Sequence, residues 1–197
     1  MIVVGLTGGI ATGKSTTADL FRERSIAVFD ADRSVHHLLG VAGSAVALVC
    51  AVFGDEVLSE DGSINRNLLG QRVFQNEADR RKLEQILHPL VACDREKFLA
   101  RNRRKGARMV VLDIPLLFET RSDSLCDMIV VTNVAFDKQC ERALSRFGMT
   151  DEKLAGILNS QMPLSEKVAR ADLVLNTGTD LDKTRQQLFH WLDQMLF

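Results

Sequence analysis

Gly8-Gly9-Ile10-Ala11-Thr12-Gly13-Lys14-Ser15 follow the spacing G-x-x-x-x-G-K-[ST]. Consecutive backbone N–H groups in such a stretch converge on phosphate oxygens, provided that small residues let the chain bend and a helix beginning there adds the positive end of its dipole. Gly8 and Gly13 supply backbone freedom, and Ala11 and Thr12 are small enough to lie beside a phosphate. Lys14 brings a point charge for the β- and γ-phosphates, Ser15 a hydroxyl for Mg2+ and Thr16 a donor for the α-phosphate. The alternative is a glycine-rich turn that merely caps a helix. An apolar run before the motif and a helix-compatible stretch after it favour phosphate, so the expected ligand is MgATP.

Phosphoryl transfer also needs a group that takes the proton of an attacking hydroxyl and positive charge over the migrating oxygens. Asp30-Ala31-Asp32 follows an apolar run, at the edge where open α/β sheets collect ligands, and alternation in an extended segment points both carboxylates the same way. One of them is the expected base; a helix N-cap is the alternative for Asp30. Arg142 and Arg146 lie four positions apart in a helix-compatible stretch, which predicts a shared face able to close over a triphosphate, or else a solvated basic surface. Asp113 ends a Val-Val-Leu run in the manner of a Walker B carboxylate, with Ile114-Pro115 leaving a turn-capping role open. His36, His37, His88 and His190 have no Cys or carboxylate partner at metal-ligand spacing.

These residues need a scaffold that brings strand ends together. Short Val/Ile-rich runs at 2–6, 26–29, 109–112, 128–131 and 173–175 read as buried parallel strands, and 14–24, 135–146 and 181–196 as helices. The alternation predicts an α/β, three-layer P-loop NTPase fold with a mainly parallel sheet of about five strands. Residues 32–105 hold polar-apolar helical spacing without a convincing strand and read as a helical insertion for the acceptor. Residues 136–170 read as a helical lid, broken at Phe147-Gly148-Met149 and restarted by a cap at Thr150 or Asp151. Nothing in 1–197 resembles a linker or a repeat, so one domain is expected.

With 197 residues, 46% hydrophobic and 26% charged, the chain can bury a substantial core, and a formal net charge of −1 gives no global pull toward nucleic acid or anionic membrane. The basic clusters Arg80-Arg81-Lys82 and Arg101-Asn102-Arg103-Arg104-Lys105 lack interleaved aromatics and read as solvated helix faces. Cys50, Cys93, Cys126 and Cys140 form no C-x-x-C pair and are expected to be buried thiols in a reducing compartment. With no secretory leader and no apolar run near about 18 residues, the expected location is the cytoplasm and the expected partners are small molecules.

Taken together, the motifs resemble the dephospho-coenzyme A kinase family from the first strand to Gly178. The resemblance rests on Gly5-Leu6-Thr7-Gly8-Gly9-Ile10 through Ser15-Thr16, on Asp30-Ala31-Asp32 with His36, and on Phe53-Gly54 and Leu87-His88-Pro89. It continues through Pro115-Leu116-Leu117-Phe118-Glu119, Gln139 with Arg142 and Arg146, Gln161-Met162-Pro163-Leu164, Lys167, Ala171-Asp172 and Asn176-Thr177-Gly178. It implies transfer of the ATP γ-phosphoryl group to the ribose 3′-hydroxyl of dephospho-coenzyme A, with Asp32 as base, Lys14 and Arg142 as catalytic cations and Arg146 on the nucleotide. It also implies that Thr7, Asp32, His88, Pro89, Leu116 and Leu117 line the acceptor pocket. Ala11-Thr12 depart from the commoner Gly-Ser, and Phe147 stands where an acidic or polar residue is frequent. A nucleoside or nucleotide kinase would use the same cradle with another acceptor. A GTP-dependent switch would need Asn-Lys-x-Asp where this chain has Thr132-Asn133-Val134-Ala135. A noncatalytic nucleotide-binding module would not need Asp32 or the arginines.

Overall fold

The computed structural model describes residues 1–196. In chain order the elements are β1 (Ile2–Gly8), α1 (Lys14–Glu23), β2 (Ala27–Asp30), α2 (Ala31–Leu38), α3 (Val46–Phe53), α4 (Arg66–Gln75) and α5 (Glu77–Arg104). They continue with β3 (Met109–Asp113), β4 (Met128–Asn133), α6 (Phe136–Leu144), α7 (Asp151–Ser160), α8 (Leu164–Ala169), β5 (Leu173–Asn176) and α9 (Leu181–Leu196). The chain divides into two compact units, one formed by Met1–Phe29 with 102–196, the other by Asp30–Arg101.

The first unit is built on a five-stranded sheet in the order β2-β3-β1-β4-β5. β1 pairs in parallel with β3 and β4, and β4 with β5. Residues 3–8 of β1 and all of β3 are buried, which explains why these strands read as continuous apolar runs rather than as alternating ones. Leu6, Phe21, Val111, Val130, Leu175, Leu188 and Trp191 belong to one apolar cluster that joins sheet residues to α1 and α9. Two aspartates extend the ladders. Asp127 Oδ2 accepts the Val3 N–H and Asp172 Oδ2 the Ile129 N–H, each at 2.7 Å. Asp172, which only the family resemblance marks in the sequence, thus satisfies a strand N–H.

Register decides what reaches the carboxyl edge. Leu6 lies opposite Asp113, Gly8 opposite Thr132, and Asn133 opposite Asn176. The chain leaving β1, β3, β4 and β5 therefore emerges along one edge of the sheet, where open α/β folds bind ligands.

The second unit contains α2, α3, α4 and most of α5 around an apolar cluster that includes Leu38, Val49, Phe53, Ile64, Leu69 and Leu87. An antiparallel bridge, Leu58 with Ile64, interrupts the helical course. Asp30-Ala31-Asp32 is not extended, contrary to the alternation argument. Asp30 ends β2 and caps α2, its Oδ1 accepting the Arg33 N–H at 2.9 Å, and Asp32 sits in the first helical turn. Pro89 lies inside α5, where it removes one helical N–H.

Two expectations change near α6. The helix ends at Leu144, so Arg146 falls in the turn beyond it, donating its N–H to Ala143 O at 3.2 Å, and the shared helical face with Arg142 is not formed. Gly148 at φ +76° turns the chain, and Thr150 caps α7 by accepting the Lys153 N–H at 3.3 Å. The four cysteines are thiols, but none is fully buried, and Cys93 is exposed because it falls on the outer face of α5.

Candidate phosphate-transfer site

The loop between β1 and α1 has the bends that its small residues were expected to permit, distributed differently. Gly13 takes φ +86° at the helix N-cap, but the other positive φ, +59°, belongs to Ala11. Gly8 is required for space. A Cβ there would lie 2.1 Å from Thr132 Oγ1 and 2.5 Å from Thr12 Oγ1. Ala11 is left-handed although it carries a Cβ, at a cost of roughly 1 kcal/mol. Its methyl is buried against Ala143 and Leu154, with Ile10, Cys140, Met149 and Leu158 packed around them.

Polar side chains from later in the chain brace the loop. Thr12 Oγ1 donates to Gly9 O at 2.9 Å and shares a 2.7 Å bond with Thr132 Oγ1. Thr177 Oγ1 donates to Thr12 O at 2.7 Å, Gln139 Nε2 donates to Ile10 O at 2.9 Å, and Gln161 Oε1 accepts the Ile10 N–H at 3.2 Å. These side chains come from β4, α6, the α7–α8 connection and the end of β5. With Thr12 they take up a loop N–H and three loop carbonyls, and a loop so tied holds its remaining N–H groups in fixed orientation. Ser15 and Thr16, in the first turn of α1, expose their side chains to solvent.

Lys14 Nζ lies 2.5 Å from Asp113 Oδ1, with Asp113 almost wholly buried at the end of β3. The parallel register makes this pair possible, since Asp113 ends the strand beside β1 just where the loop begins. Arg142 Nη2 donates to Thr177 O at 2.9 Å and Lys138 Nζ to Gly178 O at 2.8 Å, so two cations of α6 hold the segment after β5. Arg146 is exposed in its turn.

The acceptor-side residues divide between the units. In the first unit Thr7 is fully buried and donates to Pro115 O at 2.9 Å, Leu117 is fully buried, and Leu116 is 39% exposed. Leu117 supports β1 from below: a Cβ on Gly5 would sit 2.9 Å from its Cδ2. In the second unit Asp32, His88 and Pro89 are all exposed. The loop after β3 carries a buried ion pair as well. Lys167 of α8 has no exposed surface, and its Nζ lies 2.8 Å from Glu119 Oε1.

In the sequence only the family resemblance marks Gln139, Gln161, Lys167 and Thr177, without a physical role, and Thr132 stands out only where a guanine signature is missing. Gln139 is 3% exposed, and a lone amide among apolar helix positions was the available signal. Among the described residues no cluster of three or more His, Cys, Asp or Glu could hold a metal, and no helix is long and apolar enough to cross a membrane.

A dephospho-CoA kinase family profile matches residues 2–183. A dephospho-CoA kinase of Mesorhizobium japonicum is 45% identical over 195 residues, which cover 99% of this chain and 97% of that protein. Among solved structures, a Thermus thermophilus protein superposes with a TM-score of 0.84 at 27% identity, covering 100% of this chain and 98% of its own. The dephospho-CoA kinase of Campylobacter jejuni shares the fold, with a TM-score of 0.72 at 22% identity over 98% and 96% of the two chains.

Proposed function

Because the chain belongs to the dephospho-CoA kinase family, we propose that it transfers the γ-phosphoryl group of ATP to the ribose 3′-hydroxyl of dephospho-coenzyme A, giving coenzyme A and ADP, the last step of coenzyme A synthesis. The observation that carries the reading is the braced loop at 8–15, whose backbone N–H groups are set for phosphate before any ligand arrives.

ATP phosphates take the loop N–H groups that Gln161 and the loop's own carbonyls leave free, and Lys14 gives its charge to the β- and γ-phosphates in exchange for Asp113. Ser15 and Asp113 are hard oxygen donors of the type Mg2+ prefers, few enough to leave room for water and phosphate oxygens. When bound, that ion would neutralise phosphate charge. Residues 32–105 bind the acceptor, with Asp32 taking the proton of the attacking hydroxyl; His88, Pro89 and Leu116, which are exposed, and Thr7 and Leu117, which are buried, are the further acceptor-side residues. Arg142 and Arg146 bring positive charge to the transferring group when 136–170 closes. A guanidinium has five donors, so the Thr177 carbonyl costs Arg142 only one.

The test is ADP release with MgATP, comparing dephospho-coenzyme A with adenosine and AMP, with product mass confirming the added phosphate. Turnover confined to dephospho-coenzyme A is expected. A preference for adenosine or AMP would keep the ATP site and overturn the acceptor.

A further inference from the structure

Glu119 stands at the end of the segment that leaves β3, and its Oε1 is a junction. It lies 2.8 Å from Lys167 Nζ and accepts the Met162 N–H at 2.8 Å. From there, bonds run to both sides of the phosphate loop. On one side Gln161, the residue before Met162, accepts the Ile10 N–H at 3.2 Å. On the other, Lys167 donates to Pro115 O at 3.2 Å, and the same carbonyl accepts the hydroxyl of Thr7, the residue before Gly8, at 2.9 Å. Lys167 is fully buried, and a buried ammonium needs both a counter-charge and acceptors, so it cannot drift from the carboxylate. Burial works to raise the Glu119 carboxyl, but the hydrogen bond from Lys167, the backbone N–H groups of Glu119 and Met162 and the Lys167 charge outweigh it and hold the group below the usual glutamate range.

We propose that Glu119 is a positioning residue for phosphoryl transfer: through Oε1 it sets the 161–162 segment against the phosphate loop and so fixes the loop N–H groups that receive ATP, without itself touching a substrate. The proposal rests on reading 8–15 as the ATP phosphate cradle. What matters for this role is an acceptor at the Oε1 position. The other oxygen, Oε2, is buried and, among the described residues, receives no donor. Glu119→Gln can therefore place its amide nitrogen at Oε2 and keep both bonds at Oε1, removing charge but not geometry, whereas Glu119→Ala removes the junction.

The experiment compares wild type, Glu119→Gln, Glu119→Ala and Gln161→Ala by melting temperature, KM for ATP and KM for the acceptor. Both Glu119 variants lose melting temperature, because each leaves Lys167 without its counter-charge. Glu119→Ala raises the KM for ATP about tenfold and Gln161→Ala about as much, whereas Glu119→Gln stays within about threefold and the acceptor KM moves less than about twofold in all of them. The Glu119→Ala/Gln161→Ala double variant is expected to be no worse than the poorer single, since both act on the same N–H of Ile10. Should Glu119→Ala fail to fold, Glu119→Asp retracts Oε1 by one methylene and carries the same expectation. A KM for ATP that follows melting temperature across the set, a Gln variant as impaired as Ala, or multiplicative singles would overturn the proposal. Wild-type protein unable to bind ATP would instead sink the cradle reading on which it rests.

Discussion

The phosphate loop and the start of α2 are built in opposite ways. The loop is surrounded by polar side chains drawn from β4, α6, the α7–α8 connection and the end of β5, with Thr7, Thr12, Thr132, Gln139 and Thr177 all buried. Asp32, the proposed base, stands exposed in the first turn of a helix whose N-terminus is capped by Asp30, a purely local device. The difference follows from what each part must do. Loop N–H groups stabilise phosphate charge only if they are oriented before it arrives, which calls for long-range ties. A base must meet a hydroxyl delivered by a mobile substrate, and an exposed position leaves it open to that approach.

If this contrast is right, chemistry should be most sensitive at the exposed carboxylate and ATP affinity at the buried ties. Asp32→Asn keeps the volume and removes the base, so kcat should fall by about 10²- to 10⁴-fold with ATP binding nearly unchanged, as measured by steady-state kinetics beside ATP titration. Wild-type turnover in that variant would remove the base assignment. Thr177→Val keeps the shape but leaves Thr12 O, buried, without its 2.7 Å donor. It should cost about 1–3 kcal/mol in denaturant unfolding and weaken ATP binding, leaving the acceptor KM alone. An unchanged ATP affinity would mean that the ties around the loop serve stability only.

Asp30→Ala deletes the α2 cap and should cost about 1 kcal/mol of stability. If the local device also aims Asp32, kcat falls as well; kcat unchanged at equal folding would confine Asp30 to capping. Ala11→Gly has the smallest expected effect. Relief of the left-handed backbone is worth roughly 1 kcal/mol and loss of a buried methyl about 0.8 kcal/mol, so stability should change by less than about 0.5 kcal/mol. A larger stabilisation would show that the methyl contributes little to packing against Ala143 and Leu154.

Within the loop itself the division between readable and unreadable runs residue by residue. Gly13 in the left-handed region follows from its type, but Gly8 is a matter of crowding by Thr132, which depends on β1–β4 register, and Ala11 accepts a conformation its type disfavours. The helical spacing that groups Arg146 with Arg142 extends past the true end of α6 at Leu144, and Gly148 serves the next turn, in which Arg146 O accepts the Met149 N–H. The preceding strand predicts an extended segment through Asp32, whereas Asp30 caps a helix that begins at Ala31.

By itself the sequence determined the order of strands and helices, the strand–loop–helix phosphate motif and the family to which the chain belongs, and it offered caps at Asp30 and at Thr150 or Asp151 as alternatives. Each of these is written in neighbouring residues, through periodicity, φ preference or a short motif. Only the tertiary structure decided that Lys14 meets Asp113, that Thr132, Gln139, Gln161 and Thr177 brace the loop, and that Glu119 and Lys167 share a buried charge pair. Those partners meet because a parallel register carries distant strand ends to one edge. A buried polar group takes whichever partner that edge supplies, and no local pattern announces it.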